Sequence, residues 1–238
     1  MTTVAIMQPT YLPWIGYFGM IDRADVFVFL DSVQFARRSW QQRNRIKTAN
    51  GVQMLTVPVL KKGAREQRID DVRIDDGARF AEKHRRAIEH AMAKAPYFKD
   101  YSGGLFAILE AGHERLADLD IALIRWLSGA FGIDTSFAQS SQIDAAGSKA
   151  DLLAEICRAL GGDVYLSAPG SAEYIEESDA FQRVGVALIY HSFEHPAYAQ
   201  LHGPFEPYLS AIDLLFNVGP GSLACIRSGY LEATSSAP

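Results

Sequence analysis

The chain has 238 residues, 48% hydrophobic and 21% charged, with a formal net charge of −5. That balance excludes a disordered chain, a collagen-like fibre and a disulfide-stapled mini-protein, and it disfavours a general nucleic-acid binder. No apolar run approaches the roughly 20 residues that span a bilayer, and Met1 to Ile6 lacks the basic and apolar regions of a signal peptide.

Taken in chain order, Val4-Ala5-Ile6-Met7 is an apolar run without alternation, as a strand buried on both faces would be. Pro9 and Pro13 punctuate a turn. From Trp14 to Ala24 the residues Trp14, Ile15, Phe18 and Ile21 recur at helical spacing. Val26-Phe27-Val28-Phe29-Leu30 reads as a second buried strand, ended by Asp31. Strand, turn, helix and strand make a βαβ unit, which implies a parallel sheet. Residues 53–59 and 70–74 read as short β segments around a Lys61-Lys62-Gly63 loop. Residues 79–95, 104–112 and 116–130 read as three helices. Sheet strands are expected again at 135–138, 163–167 and 186–190. A helix over 147–160 carries Cys157 in its buried stripe, and Gly161-Gly162 closes it. Cys157 and Cys225 both sit in apolar surroundings, as reduced thiols of a cytoplasmic protein would. A final helix is expected over 208–216, and residues 231–238, small and polar, form a flexible tail.

Five such strands with intervening helices predict an α/β fold: a doubly wound, mostly parallel sheet of the nucleotide-binding, HUP or Rossmann-like kind. One domain over residues 1–230 would carry an inserted β and helical segment at about 35–130. Ligands of such folds sit beyond the carboxyl ends of the strands. Those ends are Gln8-Pro9, Asp31, Ser140-Ser141, Ser167 and His191-Ser192.

The most unusual stretch is Arg37 to Lys47, which holds five cations and no acid. Extended geometry puts Arg43, Arg45 and Lys47 on one side, because strand side chains alternate. Three converging cations suit a phosphate, diphosphate or carboxylate, although a solvated basic strand edge would look the same. Trp40 among them is either a stacking surface for a base or sugar or an ordinary core anchor. Asp31 is a candidate general base, or else a turn carboxylate. His191, at a strand end, is the histidine best placed for acid–base work, with a structural role as the alternative. Ser167 ends a strand ahead of Gly170, whose tight turn precedes a short helix bearing Tyr174; the helix amides suit an anion. The catalytic candidates are thus Asp31, His191 and Ser167. The binding candidates are Gln8, Tyr11, Gln34, Trp40, Arg43, Asn44, Arg45, Lys47, Gly170 and Tyr174. Neither cysteine lies at metal spacing to a histidine, so no metal site is expected. No cofactor is assigned.

The first turn weakly resembles that of nucleotidyltransferases with a His-x-Gly-His motif. Here Ile15-Gly16-Tyr17 occupies the second half and both histidines are missing, which counts against histidine-based adenylyl transfer. A broader resemblance rests on Met7 to Phe18, Val28 to Phe35, Trp40 to Lys47, Leu55 to Val59, Tyr165-Leu166-Ser167, Pro196 to Gln200 and Leu209 to Asn217. These motifs, in this order, resemble the WbqC-like protein family. The resemblance implies a place among the genes for O-antigen and other surface polysaccharides. It further implies a transferase that tailors an activated, nucleotide-linked sugar, for instance by N-acylation of an amino sugar. The partner would be a small phosphorylated substrate, not nucleic acid and not a membrane. An oligomer is possible on this reading, as are a non-catalytic binding protein and a tRNA-dependent acyl transferase.

Overall fold

The computed structural model describes residues 1–60, 66–75, 77, 79–172, 175, 177–231 and 234–235. Its centre is a parallel sheet of β1 (Thr3–Met7), β2 (Val26–Phe29), β5 (Ser136–Gln139), β6 (Val164–Ser167) and β7 (Ala187–Tyr190), in the order β5-β2-β1-β6-β7. All four junctions are parallel. The two-residue β8 (Thr234–Ser235) pairs antiparallel with β7 at the edge. This is the α/β, Rossmann-like doubly wound architecture expected from the five apolar runs.

Those runs lack alternation because both faces are covered. Val4, Ile6 and Val28 pack on one side with α5 (Ala150–Ala159) and α6 (Ala180–Val184). Ala5, Phe27, Phe29 and Leu166 face the larger core on the other side. That core includes α1 (Ile15–Asp22), α7 (Ile212–Val218) and the segment between β2 and β5. α8 (Ser222–Ser228) packs against α1.

The segment between β2 and β5 holds the antiparallel hairpin β3 (Arg43–Thr48) and β4 (Gly51–Thr56), then α2 (Phe80–Met92), α3 (Phe98–Leu109) and α4 (Leu116–Phe131). Three details depart from the sequence expectation. α3 begins at Phe98, a turn and a half before the expected start at Gly104. Gly104 lies inside the helix because a Cβ there would come within 2.5 Å of the Trp126 indole nitrogen, so its lack of a side chain lets α3 and α4 approach. The expected β segment at 70–74 is a 3-10 turn, Ile69–Asp71, followed by single bridges Arg73–Arg115 and Val59–Ile74. The helix expected over 208–216 begins at Ile212, four residues late, after Tyr208 with its positive φ, and the unexpected α8 follows it.

Lys61, Lys62 and Gly63 lie outside the described residues. Among the described residues no helix is long and apolar enough to cross a membrane.

Candidate functional site

The strand order reverses between β1 and β6, and two cavities meet there. The smaller, about 280 Å³, lies against Ile6, Gln8, Leu30, Tyr165, Ala168 and Ser171. The larger, about 360 Å³, is walled by Pro13, Trp14 and Tyr17 of the first turn and helix, by Trp40, Asn44 and Arg45, and by Tyr208. Met7 and Thr10 line both, so the two cavities adjoin at the carboxyl end of β1 and together make up the candidate crevice. An open α/β sheet forms its ligand crevice at this switch of strand order.

The first turn is rigid because its polar groups are tied down. The Tyr17 hydroxyl donates to the Gln8 carbonyl at 3.1 Å, and the Gln41 amide donates to Gln8 Oε1 at 2.7 Å. Asn44 reaches over from the hairpin and donates to the carbonyls of Leu12 (2.7 Å) and Tyr11 (3.2 Å). These bonds hold Leu12 at φ 45°, a left-handed conformation unusual for a leucine. Tyr11 itself is core: fully buried, it shares a 2.8 Å hydrogen bond with His84 Nδ1. Burial pushes the Tyr11 hydroxyl up and lowers His84 to about 4.

The basic strand divides its cations. Arg45 lines the larger cavity, with its guanidinium 5.7 Å over the Trp40 ring and Nη2 donating to the Tyr208 carbonyl at 3.0 Å. Its Nε is buried without a hydrogen-bond partner. Lys47 is buried, and its ammonium is spent on Gln200 Oε1 (3.1 Å) and the carbonyls of Gly203 (3.3 Å) and Pro204 (2.5 Å). Arg43 is half-buried with an unpartnered Nε and is not among the lining residues of either cavity. Alternation along β3 therefore brings one of the three cations to the crevice wall.

Asp31 is placed elsewhere. Its carboxylate is fully buried and accepts from Gln139 Nε2 (2.9 Å), Ser140 Oγ (3.0 Å), Ser141 N (2.8 Å) and Ser141 Oγ (2.8 Å). Two of the expected strand ends, Asp31 and Ser140-Ser141, thus meet. They meet as a saturated knot joining β2 to β5, on the far side of β2 from the switch.

Ser167 is buried at the end of β6. Its carbonyl accepts the His191 N–H at 2.8 Å, and its hydroxyl reaches the Ala168 carbonyl at 3.3 Å. His191 packs beside Phe193 and Tyr230, and its Nδ1 accepts from Arg23 Nη1 at 3.2 Å. Burial, reinforced by the Arg23 guanidinium, lowers His191 to about 4 and keeps it neutral. Neither residue lines the crevice. Gln34 is exposed in a backbone bridge with Arg68, and Gly170 sits exposed in the 3-10 turn Pro169–Ser171 beside the smaller cavity. Tyr174 lies outside the described residues.

Trp14, Tyr17 and Tyr208 are site residues that pattern reading did not select. Trp14 and Tyr17 stand in the first turn and helix, where helical spacing marked Trp14 as core. Tyr208 left one signal in hindsight, an aromatic isolated between Pro207 and an apolar helix. Two buried carboxyls stand out: Asp120, which pattern reading missed, and Asp213, which helical spacing pairs with Asn217 either to orient the site or to satisfy a helix end. Asp120 of α4 is fully buried without a hydrogen-bond partner for either oxygen, and burial pushes its pKa well above the carboxylate range. Burial raises Asp213 of α7 to about 6, against the pull of Tyr198, Gln200 and Lys47.

A family model for the WbqC-like protein family matches residues 8–225. The chain belongs to the WbqC-like protein family. It is also 38% identical over 221 residues to the uncharacterized protein Rv1507c of Mycobacterium tuberculosis (strain ATCC 25618 / H37Rv), covering 92% of this chain and 95% of that protein. No solved structure matches the chain significantly. The matched span takes in the crevice lining from Gln8 to Tyr208, while Ile6 and Met7 of β1 precede it.

Proposed function

We propose that this WbqC-like protein is a transferase of surface-polysaccharide biosynthesis that binds an activated, nucleotide-linked sugar across the two cavities. The observation that supports this most is the pair of adjoining cavities at the switch of strand order, one with aromatic walls and the other lined by Gln8 and Ser171. Its combined size suits a small ligand of several hundred Å³. Arg45, the charged residue of the described lining, would offset a phosphate or a developing oxyanion. Gln8 would fix the polar end of the ligand. Asp31, Ser167 and His191 would act at a distance, by holding the strand ends that frame the crevice, and catalysis would come from positioning the amine and the activated group.

A second reading has an observation of its own. The described lining holds no histidine, carboxylate, cysteine or lysine, so no side chain there is an evident general base. A protein that binds the nucleotide sugar without turning it over would have such a lining.

Calorimetric titration with nucleotide-linked amino sugars, followed by mass spectrometry after adding an acyl donor, separates the two. Saturable binding with an acyl mass increment supports the transferase. Binding with unchanged substrate supports the second reading. No binding of any nucleotide sugar at millimolar concentration rejects both.

A further inference from the structure

We infer that the larger cavity is the nucleobase subsite, a clamp that holds a planar ring between Trp40 and Tyr208 with Arg45 donating to its exocyclic carbonyl oxygens. The inference rests on the nucleotide-linked substrate proposed above and assigns one end of it.

Three observations carry it. First, Trp40 (50% exposed) and Tyr208 (52% exposed) are the aromatic members among the exposed large hydrophobics of the described residues, and both line this one cavity. Large aromatics left half in water in the wall of one cavity offer faces for stacking. Trp14 supports them from within, 5.3 Å from the Tyr208 ring.

Second, Arg45 ties Trp40 and Tyr208 together. Its guanidinium lies over Trp40 and bonds the Tyr208 carbonyl, while its Nε remains buried and unpartnered. Because that Nε has no accessible surface, the donors a ligand in the cavity can reach are the Nη groups of the guanidinium. The neighbouring Asn44 amide is already committed to Tyr11, Leu12 and the Arg45 N–H. Arginine donors facing a base pair best with carbonyl oxygens, which uracil, thymine, cytosine and guanine carry, whereas adenine offers only ring nitrogens and fits less well.

Third, Tyr208 is held at φ 58°, a left-handed conformation that a bulky side chain rarely adopts. The Arg45 bond to its carbonyl and the Trp14 contact hold it there. Strained backbone of this kind collects at ligand clamps.

The test measures the affinity of UDP, GDP, ADP and inorganic diphosphate for the intact protein and for Trp40→Ala and Trp40→Phe. The better of UDP and GDP should bind about tenfold more tightly than inorganic diphosphate, and ADP should gain little over diphosphate. Trp40→Ala should remove about that tenfold gain while leaving diphosphate affinity and the melting temperature unchanged. Trp40→Phe should restore most of it. Equal affinities for nucleotide and diphosphate, or a Trp40→Ala variant that binds UDP and GDP as well as the parent, would overturn the clamp and leave the crevice reading standing. ADP binding as tightly as UDP and GDP would overturn the role given to Arg45. If neither the nucleotides nor nucleotide sugars bind the parent protein, both this inference and the proposed function fall.

Discussion

The carboxyl edge of the sheet treats polar side chains in two opposite ways. At the β2–β5 junction, Asp31 takes four donors and Ser32 Oγ lies 2.8 Å from Ser140 Oγ. Beside the β1–β6 switch, Arg45 lines the larger cavity and two aromatics, Trp40 and Tyr208, stand half in water there; Ser210 Oγ and Asp213 Oδ2, at the start of α7, are buried without partners. A saturated polar group has no capacity left for a ligand, whereas an unsatisfied one carries a cost that a ligand can remove. The comparison teaches that strand-end position nominates a residue and that a saturated hydrogen-bond account, as at Asp31, assigns it a structural role, while a ligand-facing role needs placement in the cavity wall as well.

The strongest way to break this contrast is at Asp31. Asp31→Ala leaves four donors without their acceptor and should lower the unfolding free energy by on the order of 3 kcal/mol, read from urea denaturation. A variant as stable as the parent that has lost ligand binding would move Asp31 into the site. Asp213 sharpens the other side. Its folded pKa of about 6 stands above the ordinary 3.8. The raised value means that its contribution to stability is fully present below about pH 4 and is lost as pH rises through 6. Asp213→Asn should therefore gain on the parent between pH 4 and 7, by on the order of 2 kcal/mol at the top of that range. Parallel stability curves for the two proteins would show that the carboxyl is satisfied after all. The smallest effect is expected at Arg45. Arg45→Ala should weaken nucleotide-sugar binding about tenfold, roughly 1.4 kcal/mol, with little change in melting temperature. A large drop in stability with binding intact would make that guanidinium structural.

Much of the frame was legible in the residues. Val4 to Met7 and Val26 to Leu30 announce buried strands because apolar side chains on both faces are the mark of a sheet covered twice. Gly161 closes α5 at φ 65°, a conformation glycine adopts without steric cost, as its place after the helical stripe suggested. The strand-end list also held true contacts, since Asp31 and Ser141 do meet. The fate of each charged group was not legible. Alternation placed Arg43, Arg45 and Lys47 on one side of a strand, but it could not say that a loop at 200–204 would claim the lysine.

The sequence alone determined the parallel sheet and family membership, because these follow from local periodicity and short motifs; it named five strand ends, and the strand order singled out the end of β1. The tertiary structure alone decided which polar groups are sated and which are left waiting. Ser141 lies 110 positions from Asp31, and Tyr208 lies 163 from Arg45. Partners so distant along the chain leave no periodic trace, since only folding brings donor and acceptor within bonding reach.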